Sequence, residues 1–208
     1  MALGDSYCTL AEMRSRVGIT DATNTTEDTK LTEAAAAASR GIEGATHRQF
    51  NLASSATARL FYPDNECHTK VYDIASVSNL AIKTDTAGDG TYATTWASTD
   101  YQLEPLDGIV DGQIGWPWWT IRAVGNQRFI CGWPTQRAPL QVTAIWGWAA
   151  VPAPVKEATL ILAEEIYSLK NTPFGSGGVT QFGIMRAREN PAVLIRIMPY
   201  ILEPVMVA

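Results

Sequence analysis

The stretch Gln141–Lys156, Q-V-T-A-I-W-G-W-A-A-V-P-A-P-V-K, decides the fold, because an alternating strand ends within it and a proline-started helix begins. Leu140, Val142, Ala144 and Trp146 fall on one face of an extended chain and Gln141 and Thr143 on the other, as a half-buried strand requires. After Gly147 the period changes. Pro152 and Pro154 suit the first turn of a helix, where a missing N–H costs little, and Val155, Ala158, Thr159, Leu162, Ile166 and Leu169 then recur at helical spacing. A β region therefore closes here and the chain returns to helix.

Upstream, from about Ala56 to Trp148, the period is close to two and turn residues are frequent. Strands are expected at Ala58–Tyr62, Lys70–Ile74, Asn79–Lys83, Tyr101–Glu104, Thr120–Val124, Arg128–Ile130 and Leu140–Trp146, with Gly125-Asn126 as a hairpin turn. Further upstream the period is helical again. Thr9 and Glu12 stand at capping-box spacing, with Leu10, Met13 and Val17 on one face and Gly18 as the stop. Thr25 to Asp28 place caps and acids at the start of a second helix, whose stripe is Leu31, Ala35, Ala38, Ile42 and Ala45. Small residues let a neighbouring helix approach closely, within the same chain or from another subunit.

Downstream of the third helix, residues 171–183 (N-T-P-F-G-S-G-G-V-T-Q-F-G) have the composition of a loop, with Phe174 and Phe182 assigned to no core. Asn190 and Pro191 start a further helix, Pro199 stops it, and the tail I-L-E-P-V-M-V-A is apolar enough to want a partner. The expected fold class is α+β: N- and C-terminal helices forming a small bundle, with an inserted antiparallel β region. The expected organisation is residues 1–55 for the N-terminal helices, 56–150 for the β region and 151–208 for the C-terminal helices, loop and tail, with 1–55 and 151–208 forming one helical domain.

Composition bounds the function. The 208 residues are 46% hydrophobic, enough to bury a core. No apolar run reaches the roughly 20 residues of a membrane span, and the first residues lack a signal-peptide pattern, so a soluble protein made in the cytosol is expected. Cys8, Cys67 and Cys131 are odd in number and far apart, which argues for reduced thiols. The net charge of -5, spread without runs, gives no footprint for gripping nucleic acid.

A search for chemistry returns little. In Asp85-Thr-Ala-Gly-Asp-Gly90 a calcium-loop reading would place Ala87 and Trp96 at ligand positions, so a tight turn is expected. Three cysteines and two histidines without ligand spacing make no zinc site, and Cys131 has no evident base in His47 or His68. There is no phosphate-cradling glycine motif and no catalytic signature, so neither enzyme activity nor a cofactor or metal is expected. Six of the seven tryptophans lie between Trp116 and Trp148. They suit either a tryptophan-rich core or interface, or an aromatic platform for sugar or single-stranded nucleic acid, the sugar-binding platform making the chain a capsid or tail decoration module.

Taken together, T-L-A-E-M-R-S-R-V-G-I-T, A-A-A-A-S-R-G-I-E-G-A-T-H-R-Q-F, D-T-A-G-D-G-T-Y, W-A-S-T-D-Y-Q-L-E-P and V-T-A-I-W-G-W-A-A-V-P-A-P-V-K-E-A resemble, in their order and spacing, the phage head-tail connector family, also called adaptor or head completion proteins. The resemblance spans nearly the whole chain. It implies a non-enzymatic virion neck protein without cofactor, assembled in the host cytoplasm. It further implies a ring, typically of twelve copies, beneath the portal protein, followed by a stopper or other neck protein and traversed by double-stranded DNA. The portal-docking residues it suggests are Tyr200, Ile201, Leu202, Val205, Met206 and Val207. For contacts with neighbouring subunits or neck proteins it suggests Phe174, Phe182, Ile184, Met185, Arg186 and Arg188.

Overall fold

The computed structural model describes residues 3–21, 23–131, 137–169, 187 and 189–202. They fall into two compact units, one made of the described residues of Met1–Asn51 and Ala150–Glu203, the other of those of Leu52–Ala149.

The second unit is built on an antiparallel sheet. Its strands are β1 (Thr57–Phe61), β2 (His68–Thr84), β3 (Thr94–Thr95), β4 (Tyr101–Glu104), β7 (Trp118–Ala123) and β8 (Leu140–Trp146), in the order β1-β8-β2-β7-β4 with β3 on the end of β2. A separate two-stranded hairpin, β5 (Ile109–Val110) and β6 (Gln113–Ile114), follows a 3-10 turn at Leu106–Gly108. Strand β8 alternates as its sequence dictates, with Leu140, Val142, Ala144 and Trp146 buried. They meet Phe61, Val71, Ile74, Ile82 and Ile121 in one core. Strand β2 organises the sheet. Its first residues pair with β7 (His68 with Arg122, Thr69 with Ile121) and its last with β8 (Ala81 with Thr143, Thr84 with Leu140). Register shifts between Lys70 and Ala81, together with Asn79 at φ 60°, bend it between the two partners.

The first unit contains α1 (Leu10–Arg16), α2 (Asp28–Thr46), α3 (Ala153–Ser168) and α4 (Pro191–Ile197), the last running into a 3-10 turn at Met198–Tyr200. The Thr9–Glu12 capping box forms, and Met13 is the buried residue of α1. Helix α2 buries Leu31, Ala35, Ala38, Ile42 and Ala45, its alanines letting α3 pack closely. Helix α3 presents Val155, Ala158, Thr159 and Leu162 in return. Ion pairs fasten the ends: Arg14 grips Asp28 through two bonds of 2.7 Å, Arg16 reaches Glu164 at 2.8 Å and Glu157 at 3.0 Å, and Lys156 pairs with Glu12.

This architecture corrects the expected fold class. The six-stranded antiparallel sheet is the principal framework, not an insertion carried by a helical bundle. Among the described residues only α2 and α3 exceed two turns, while α1 and α4 have seven residues each, so the helices are a packed pair with two short additions. The reason lies in β2, a strand of 17 residues whose bulges break the alternation, so that Lys70–Ile74 and Asn79–Lys83 read as two separate short strands. Two further strand expectations are also corrected. Arg128–Ile130 is not a strand: the Phe129 amide donates to the Glu66 carbonyl at 2.9 Å and its ring stacks on Trp96. Gly125-Asn126 therefore joins no hairpin, because the segment that was to return beside β7 is not a strand.

Candidate interaction surfaces

Among the described residues no group of three or more His, Cys, Asp or Glu is arranged to hold a metal. Nor is any described helix long and apolar enough to cross a membrane. His47 takes the left-handed position that ends α2, and His68 opens β2 beside Asn65. Cys131 and Cys67 are exposed, whereas Cys8 is buried and its thiol is pushed up to about 11, chiefly by burial and then by Glu12. In the 85–90 turn the Asp85 carboxylate accepts backbone N–H groups of Ala87, Gly88 and Gly90 at 2.7–3.1 Å, so its lone pairs hold its own loop.

The tryptophans are spent largely on the interior. Trp96, Trp116, Trp146 and Trp148 are buried, and Trp118 and Trp119 are half-buried. The Trp146 indole donates to the Thr57 carbonyl and that of Trp148 to Asp73, each at 2.8 Å, so their polar edges are turned inward too. Trp133 lies outside the described residues.

Two apolar surfaces are left over. In the helical unit, the Asn190 side chain caps α4 by accepting from Ala192 and Val193, and Pro191 occupies the first turn. Val193, Ile197 and Tyr200 then turn inward, while Ile195 and Met198 are 72% and 67% exposed and Ile201 is 46% exposed. The segment is therefore apolar on both sides. The inward side is anchored by an edge-to-face series: Tyr200 against Phe50 at 5.8 Å and Phe50 against Tyr7 at 5.6 Å. The Tyr7 hydroxyl donates to Glu43 and accepts the Phe50 amide at 3.0 Å, and the Leu202 amide donates to the Thr46 carbonyl at 2.9 Å. Burial raises the pKa of Glu43, against the pull of Tyr7 and of Arg40, whose guanidinium is 3.0 Å away. Burial, followed by the Glu43 charge, also raises that of Tyr7.

In the sheet unit, Leu106 of the 3-10 turn and Ile109 and Ile114 of the β5–β6 hairpin are exposed, Ile114 at 82%. Sequence reading missed this hairpin, although Asp111-Gly112 was its available signal.

Of the residues the resemblance suggested for docking, Tyr200 is buried as the anchor, while Ile201 and Leu202 lie at the surface end of the same segment. Val205, Met206 and Val207 lie outside the described residues, as do Phe174, Phe182, Ile184, Met185, Arg186 and Arg188. The exposed Ile195 and Met198 were not anticipated, because helical spacing alone does not say which of two apolar stripes faces the core.

No family model matches the chain, and no curated protein sequence matches it significantly. The fold does have a counterpart among solved structures. A chain from the neck of an empty GTA (gene transfer agent) particle, computed with C6 symmetry, superposes with a TM-score of 0.57 over 96% of this chain and 92% of its own, at 20% sequence identity. This protein therefore shares its fold with a neck component of a phage-like particle.

Proposed function

We propose that this chain is a structural neck protein of a tailed-phage-like particle, a head-to-tail connector that assembles as a ring on the portal. The observation that carries the reading is the near end-to-end correspondence with a neck chain of a GTA particle. The sequence segments that resemble head-tail connectors support the same conclusion from independent information.

In this reading the work is mechanical and no catalytic role is assigned. Copies of the chain extend the portal channel and offer a surface on which a stopper or tail protein assembles, and the protein resides in the virion neck. Six-fold symmetry in the neighbour's neck is compatible with a ring of twelve. The C-terminal segment is the proposed portal dock: Tyr200 holds its root in the helical unit, Ile195, Met198 and Ile201 offer apolar area, and the residues beyond extend it. Double-stranded DNA passes without being held, since an acidic chain of net charge -5 releases few phosphate counterions. The isolated chain associates weakly, and the portal supplies the template that closes the ring.

The test is co-purification with a portal ring, comparing the full chain with one truncated after Pro199. Retention of the full chain and loss of the truncated one is expected. Equal retention removes the docking assignment, and absence of binding by the full chain removes the neck reading.

A further inference from the structure

Two features of the sheet unit have no role in the docking just described. The first is the hairpin. Its base is anchored where the Trp116 amide donates to the Gly108 carbonyl at 3.0 Å, and a Cβ at Gly108 would sit 2.7 Å from the Trp116 carbonyl oxygen. Its tip is a two-residue turn with Asp111 at φ 50° and Gly112 at φ 76°, the left-handed pair that closes tight hairpins. Two strands alone are marginal in water, yet Ile109 and Ile114 are exposed on them and Leu106 on the turn that leads in. Asp107 and Asp111 add two negative charges, and neither has an ion pair among the described residues.

The second feature is the outer edge of β1. Strand β1 pairs with β8 in unbroken register over five residues, and no described strand covers its other side. It contains neither proline nor bulge, the usual protections of an open edge. Its one charge, Arg59, has its guanidinium carbon 4.9 Å from the Tyr72 ring centre and 4.7 Å from that of Trp146. Among the described residues no carboxylate pairs with it.

These surfaces lie at opposite ends of one strand order, since β4, which leads into the hairpin, and β1 are its two terminal strands. We propose that the hairpin of one copy seats against the β1 edge of the next, covering Leu106, Ile109 and Ile114 and bringing Asp107 and Asp111 to Arg59. Each surface carries the charge the other lacks, and every copy carries both. A contact between two different surfaces repeats head to tail and closes into a ring when the rotation permits. The inference rests on the ring reading above and supplies its subunit interface.

A charge exchange tests it on the full chain, by sedimentation velocity over a concentration series up to the millimolar range. In Arg59→Glu the β1 edge repels the acidic hairpin, and in the combined variant Asp107→Asn, Asp111→Asn and Ile114→Arg the hairpin carries one positive charge and repels Arg59, asparagine keeping the left-handed backbone of both turn positions. Each variant alone is expected to weaken self-association about tenfold or more. An equimolar mixture is expected to recover it, because in an alternating assembly every contact again joins opposite charges. Where thermal melting shows Arg59→Glu to be unfolded, Arg59→Gln replaces it and must still weaken association. Wild-type-like association of either variant alone, failure of the mixture to recover, or no self-association of the wild-type chain overturns the inference. So does a charge effect confined to portal binding. If the exchange behaves as expected while the full chain ignores the portal, the contact stands and the neck reading falls.

Discussion

Tyr7 shows how much one side chain can organise. Its ring supports Phe50, which supports Tyr200, and its hydroxyl both donates to Glu43 and accepts the Phe50 amide. In Tyr7→Phe the buried amide loses its acceptor, and we expect a loss of about 1–3 kcal/mol in urea unfolding. Glu43 and Asp85 titrate in opposite senses. Glu43, raised by burial, binds its proton more tightly in the folded chain. Its contribution is therefore full below the ordinary Glu pKa of roughly 4 and is lost as pH rises through the folded value. Stability of the wild type relative to Glu43→Gln should fall over that interval; a constant difference between the two urea midpoints refutes the assignment. For Asp85, burial pushes the pKa up, but the N–H groups of Gly90, Gly88, Ala87 and Asp89 outweigh it and hold the carboxyl low. Its stabilisation is present above the ordinary Asp range and disappears as pH falls through the depressed value. Asp85→Ala should lower the unfolding midpoint at neutral pH and remove part of the chain's acid sensitivity, as read by thermal melts across the acid range.

At the scale of elements, α4 is the most exposed to change. It has seven residues, too few to be helical alone, and is kept by its cap and by three buried contacts, Val193, Ile197 and Tyr200. Asn190→Ala removes the acceptor for the Ala192 and Val193 amides, and a loss of about 1 kcal/mol is expected. Hydrogen exchange should speed up first at the α4 amides, and exchange unchanged there would contradict the capping account. In the sheet, Ile121 of β7, opposite Thr69 of β2 and Leu103 of β4, is fully buried in the core. Ile121→Ala should cost about 2–5 kcal/mol, measured by denaturant unfolding. Single elements were readable to different depths. β4 and β8 match their expected spans because alternation is clean there, and α1 matches its capping box. β2 was read as two short strands and the β5–β6 hairpin was missed, because bulges and very short strands leave no sustained period to read.

For the whole molecule, the charge balance makes one further prediction. With 16 basic against 21 acidic residues, the chain should show no measurable retention on duplex DNA at about 0.15 M salt, where counterion release sets non-specific affinity. Fluorescence anisotropy with a labelled duplex checks this, and micromolar binding would argue against a channel that lets DNA slide. The sequence by itself determined the local grammar: the strand-to-helix junction at Gly147, the helix starts at Thr9 and Asn190 and the alanine stripe of α2. Those features depend on neighbours a few residues apart, so spacing alone reveals them. Only the tertiary structure decided that a six-stranded sheet dominates, that Tyr200 points inward while Ile195 and Met198 do not, and that Arg59 lies close to two rings. Each of these depends on residues far apart in the chain meeting in space, as when Thr57 pairs with Ala144 or Tyr200 finds Phe50. Long-range pairing is set by the packing of the whole core, and a local pattern carries no record of which distant partner fills it.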